Sequence, residues 1–248
     1  MAKGSSGLSS GGVGGSKMTQ QADLDHSPEL QKALNKEENR TRNLKKEQMT
    51  VWDDKDNQVI HRQGKSGSVE YSVREAQQYF YGATMTHNHP HGDERGGISG
   101  TFSVADVETF RYGLKEMRAS GAEGTYVLRN KNWNNSKADR SMDFWKAYSD
   151  FSNKQDFASL ENIKASQAKA KKTKIGKQYT AEMDKASSLW KKGDKDNAMK
   201  AYNNAVNNLE AGYKKECKRI IYENMNATTS GWLKQNAAKY GFEYVLTK

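Results

Sequence analysis

Cysteine occurs once in these 248 residues, at Cys217. A single thiol excludes an intramolecular disulfide framework and any cysteine-based zinc cluster. A bound metal would therefore have to be held by His, Asp or Glu. Proline occurs only twice, at Pro28 and Pro90. No run approaches the ~18 consecutive apolar residues that a membrane-spanning helix needs. The first residues also lack the short apolar stretch of a secretory signal, so we expect a cytoplasmic chain with no transmembrane segment. Collagen-like, coiled-coil-only and membrane classes are set aside on these grounds. Apolar residues make up 34% of the chain, enough for a core but with much of the sequence left to solvent.

Charge, by contrast, is plentiful and unevenly placed. The formal net charge is +10; residues 140–248 carry 21 Lys and Arg against 12 Asp and Glu, and residues 1–139 carry 19 against 18. A basic half fits an anionic partner, and equally a solvated lysine-rich helix face. Lys164–Lys177 holds six lysines and is the segment through which nucleic acid would be contacted.

Residues 1–20 are Gly/Ser-rich and read as a flexible leader. Ser27 followed by Pro28 predicts a helix start, with the helix running to about Asn39. Met49, Val51 and Trp52, the turn cluster Asp53–Asn57, and Val59-Ile60 predict a β-hairpin. Ser72 and Glu75 form a capping box for a helix from Val73 to Phe80. A short strand over residues 83–86 then delivers the chain to His87. Val104, Val107, Phe110, Leu114 and Met117 recur at helical spacing, which predicts a helix opened by Ser103, and residues 125–129 predict another strand.

Residues 140–239 read almost wholly as helix. Leu189, Trp190, Ala198, Tyr202 and Ala205 resemble a single tetratricopeptide-type hairpin, with no second copy at a fixed period. Trp190, Tyr202 and Tyr213 are expected in the helical core. Gly241 predicts a helix stop before a strand over residues 242–246. The fold class is therefore α/β (α+β), a mixed sheet flanked by helices. Its expected parts are residues 21–139, a basic helical insertion or hairpin over 140–230, and a return to the sheet over 231–248.

Three of the five histidines fall within His87-Asn88-His89-Pro90-His91. Side chains two apart in an extended segment share a face, so His87 and His89 can bind one cation from one side. His91 continues the parity but lies beyond Pro90. Asp106, in the first turn of the helix opened by Ser103, would complete three protein ligands. Three such ligands with a position left for water define catalytic rather than structural zinc. Such chemistry also needs a base that is not a ligand, and Glu47 at the head of the first strand is the candidate.

Glu47, His87-x-His89-Pro90 and Ser103-x-x-Asp106 together resemble the JAMM motif of the JAB/MPN zinc metallopeptidases. The run from His87 to Asp93 is most similar to the bacterial RadC-type, prophage-associated branch. The resemblance covers residues 40–130 and extends to 230–248; the helical middle matches no family we can name. Thirteen residues separate His89 from Ser103, longer than the family spacer, which admits Ser99 as a rival serine and Asp93 and Glu94 as rival ligands. Ser103 is preferred because an acid stands three residues later.

The resemblance implies that His87, His89 and Asp106 hold Zn²⁺. It implies that Glu47 moves the proton of a zinc-activated water, whose pKa falls to about 7 in such sites. It implies that Ser103 donates to the oxyanion. The expected reaction is hydrolysis of an amide or isopeptide in a peptide or protein substrate. The alternatives are a catalytically silent member of the same fold that binds nucleic acid, and a phage or mobile-element effector.

Overall fold

The computed structural model describes residues 26–91, 99–157 and 159–247. The leader over residues 1–20 and the rival ligands Asp93 and Glu94 lie outside them. Helix α1 (Pro28–Thr41) begins where the Ser27 hydroxyl accepts the Leu30 N–H at 3.0 Å. The hairpin β1 (Gln48–Trp52) and β2 (Gln58–Gln63) turns on the Asp53 carboxylate, which accepts the N–H groups of Lys55 and Asn57. Helix α2 (Val73–Tyr79) carries the expected capping box, and β3 (Thr84–Asn88) follows.

Helix α3 (Val104–Thr109) opens at Ser103 as expected but is much shorter than its apolar spacing predicts. One 3₁₀ turn over Phe110–Tyr112 ends at Gly113, at φ 81°, a left-handed position that side chains other than glycine's resist. Beyond it Met117 belongs to strand β4 (Glu116–Gly121) rather than to the helix. Strand β5 (Gly124–Asn130) pairs with it as a hairpin. The helical stretch comprises α4 (Ser141–Lys154), α5 (Leu160–Ala170), α6 (Lys174–Lys191), α7 (Lys195–Asn204) and the 27-residue α8 (Glu210–Asn236). After the Gly241 stop, β6 (Phe242–Thr247) returns to the sheet and pairs antiparallel with β5, as expected of a lone final strand.

The six-stranded mixed sheet runs β2-β1-β3-β4-β5-β6, with β3 and β4 parallel and the other pairs antiparallel. Alternation gives its faces opposite characters. Met49, Val51, Met85, Met117, Ala119, Tyr126 and Leu128 form one face, packed with Phe102, Phe110, Phe144, Leu233 and Phe242. The other face carries Thr50, Thr86, Glu116, Arg118 and Thr125, all buried. Helix α1 closes that face with Glu38, which accepts from Arg118 Nε at 2.5 Å and from Thr125 at 2.9 Å.

Among the described residues no helix is long and apolar enough to cross a membrane. Trp190 and Tyr202 are not core residues: they are 55% and 46% exposed, on the outer surface of the α6–α7 hairpin. The buried positions of those helices include the small residues Ala186, Ala198 and Ala201, while Trp190 and Tyr202 line a shallow apolar cavity beside Ala186 and Ala198. Tyr213 is half-buried and stacks on Tyr179.

Candidate metal centre

Strand β3 delivers both histidines. His87 lies within it, one position further than the expected strand over residues 83–86 reached, and His89 follows one residue past its end. The Ser120 carbonyl of β4 accepts the His89 N–H at 2.8 Å, which extends the parallel pairing and keeps His89 on the same side as His87. Their Nε2 atoms stand 2.8 Å apart, and both residues are buried.

Strand β1 brings the first acid. Met49 sits opposite His87 in the antiparallel register, so Glu47 falls opposite His89. Asn88, fully buried between the two histidines and facing the opposite side, fastens this end of the ladder. Its Oδ1 accepts the Gln48 N–H at 2.7 Å, and its Nδ2 donates to the Lys46 carbonyl at 3.2 Å. The Glu47 N–H and carbonyl are taken by Lys65 and Gly64. One ligand atom each from Glu47, His87 and His89 lie within 4.8 Å of one another.

Helix α3 brings the second acid. Asp106 Oδ1 stands 3.4 Å from His87 Nε2, and Oδ2 stands 3.5 Å from His89 Nε2. The capping box aims this carboxylate: Oδ2 accepts the Ser103 N–H at 2.6 Å while the Ser103 hydroxyl accepts the Asp106 N–H at 3.1 Å. All four residues singled out from the sequence for metal and base therefore converge. Ser103 lines the same cleft and is exposed, with its hydroxyl hydrogen free of the cap. Ser99, the rival serine, is buried and its hydroxyl accepts the Ala122 N–H at 2.8 Å, so it is committed to a turn. His91 does not belong to the cluster of described residues.

Burial by itself would lower the His87 pKa, but Asp106 and then Glu47 outweigh it and raise the value above its ordinary level. Burial would likewise push Asp106 up; the two imidazoles hold it well below the usual carboxylate range. His89 Nδ1 lies 2.7 Å from the Gly100 carbonyl, which can only accept, so Nδ1 donates there and Nε2 faces His87 and Asp106. A backbone acceptor behind a metal-binding imidazole is the usual outer-sphere arrangement. Two imidazoles and two carboxylates without sulfur make a donor set that could hold a divalent metal ion.

The cleft above the cluster has a volume of about 340 Å³. Its far wall was not anticipated from the sequence: Tyr222, Met225, Asn226 and Thr229 of α8 face Glu47, His89, Ser103 and Asp106. No protein-family profile, curated protein or solved structure matches the chain.

Proposed function

We propose that the chain is a zinc-dependent amide hydrolase, a peptidase or isopeptidase of the JAMM type on a JAB/MPN-like fold. The observation that carries this reading is the meeting of Glu47, His87, His89 and Asp106 at the ends of two strands and a helix N-terminus, with Glu47, His89 and Asp106 lining one cleft and His87 buried beside them. His87, His89 and Asp106 would hold the ion. A zinc ion held there would supply Lewis acidity and lower the pKa of a bound water toward neutral pH. Glu47, beside both histidines, accepts the proton of the attacking water and returns it to the leaving amine. Ser103 donates its hydroxyl to the developing oxyanion, a contact typically worth about 3 kcal/mol.

Zinc analysis and cleavage of fluorescein-labelled casein test the assignment together. Glu47→Gln is expected to keep one zinc per chain while cleavage falls by roughly two to four orders of magnitude. His87→Ala and Asp106→Ala are expected to lose the ion. Loss of zinc from Glu47→Gln would make Glu47 a ligand instead of the base, and a wild-type protein that takes up no zinc overturns the reading.

A catalytically silent nucleic-acid-binding module is the second reading, favoured by the exposure of all six lysines from Lys164 to Lys177, on α5, the following turn and the start of α6. Zinc-free protein that binds a DNA oligonucleotide with steep salt dependence would leave that reading standing.

A further inference from the structure

The peptide unit joining Gly100 to Thr101 is gripped at both ends. On one side the Gly100 carbonyl accepts from His89 Nδ1 at 2.7 Å. On the other the Thr101 N–H donates to Asn226 Oδ1 at 2.9 Å. These two groups belong to the same planar amide, in which the C=O and N–H point in opposite directions. Whatever aims the Thr101 N–H therefore aims the carbonyl that orients the His89 ring. Asn226 is itself fixed, because its Nδ2 donates to the Tyr126 hydroxyl of β5 at 2.7 Å. The side chain thus accepts from the loop and donates to the sheet, which leaves it a single orientation. Hydrogen bonds in series polarise one another, so the Asn226 contact strengthens the carbonyl as an acceptor for His89.

We propose that Asn226, on the helix that walls the cleft, is a positioning residue for His89 and acts through the Gly100–Thr101 amide. The proposal rests on the metal-centre reading above. It makes the helical stretch part of the site, since α8 reaches 125 residues along the chain from Thr101 to fix the imidazole. The other anchors of this loop do a different task. Tyr244 lies 3.0 Å from the Thr101 hydroxyl and Tyr148 donates to the Phe102 carbonyl at 2.5 Å. Both hold the loop in place without touching the amide that faces His89.

Asn226→Ala and Tyr126→Phe are compared with wild type in two measurements. One is zinc affinity by competition with a chelator; the other is the His89 tautomer in the metal-free protein by ¹⁵N NMR. Asn226→Ala is expected to weaken zinc binding by about 10- to 100-fold, the usual cost of losing an outer-sphere partner. It should also shift His89 from the pure Nδ1–H tautomer to a mixture. Tyr126→Phe, which leaves the acceptor in place but frees its donor end, should give a smaller change in the same directions. Wild-type affinity together with an unchanged tautomer in Asn226→Ala overturns the proposal. Should that variant not fold, Tyr126→Phe decides by the same two readings. A wild-type protein that binds no zinc removes the metal reading, and the tautomer still judges Asn226 separately.

Discussion

Glu116 is completely buried on the polar face of the sheet, where an isolated carboxylate would be costly. Its Oε1 lies 2.9 Å from His26 Nε2 and 3.1 Å from Arg118 Nη1, and its Oε2 accepts from Arg129 Nε at 2.7 Å. Burial would push its pKa up; His26, Arg118 and Arg129 bring it down to about 2. A pKa depressed on folding contributes stability that is complete above the ordinary value near 4.5 and drains away as pH falls toward 2. The contribution is on the order of 3 kcal/mol. Urea unfolding at pH 7, 4 and 3 should show this loss in wild type, and Glu116→Gln should flatten it. The variant should also be less stable at pH 7, since it removes an anion from buried guanidinium groups. An acid limb of equal slope in both proteins would contradict the assignment. This network was not legible beforehand. Glu116, Arg118 and Ser120 alternate with Met117 and Ala119, but polar alternation ordinarily marks the solvent side of a strand. Here α1 covers that side and Glu38 joins the pairing, a fact of tertiary packing that no local pattern holds.

Elements with local chemistry were readable, and those that depend on distant partners were not. Ser72 with Glu75 and Ser103 with Asp106 form the capping boxes their spacing predicts. The Asp53 turn and the Gly241 stop also fall as expected. His87, His89 and Asp106 were findable because period two on a strand and a first-turn acid on a helix are local rules. Glu47 was placed near the histidines by its position at the head of β1, whereas the Asn226 contact with the Thr101 N–H carried no signal, since it exists only once α8 crosses the cleft. The misread element is α3, where Leu114 and Met117 keep helical spacing beyond the helix. Gly113 overrides that periodicity by taking the left-handed conformation that lets the chain turn into β4. Gly113→Ala should therefore cost about 1–2 kcal/mol, and its Cβ would also press on the Tyr81 ring. Gly231→Ala, inside α8 with open space around the new methyl, should instead stabilise by about 0.5–1 kcal/mol. Chemical unfolding of both variants checks the pair; equal effects would mean that backbone conformation is not what sets Gly113.

Across the whole molecule the apolar core thins from the sheet outward. Near the sheet, Phe144 stacks on Phe242 at 4.5 Å and on Trp232 at 6.0 Å, which ties α4, the end of α8 and β6 into one aromatic cluster. At the far end the buried positions are small: Ala170, Gly176, Ala186, Ala198, Ala201 and Ala205. Burial is worth about 0.8 kcal/mol per methylene, so alanine contacts hold α6 and α7 far less strongly than the aromatic cluster holds the sheet end. Proline-free sequence made the helical character of this region legible, but not how little each helix buries. Local opening follows buried apolar contact. Native-state hydrogen exchange should therefore find the amides of α6 and α7 opening at free energies well below those of β3, β4 and β5. Helix α8 should divide, its first turns exchanging with the hairpin and the stretch from Asn226 to Asn236 protected with the sheet. That division is what allows Asn226 to stay fixed beside the cleft while the outer hairpin opens; uniform protection from α6 through β5 would instead mean that the molecule unfolds only as a whole.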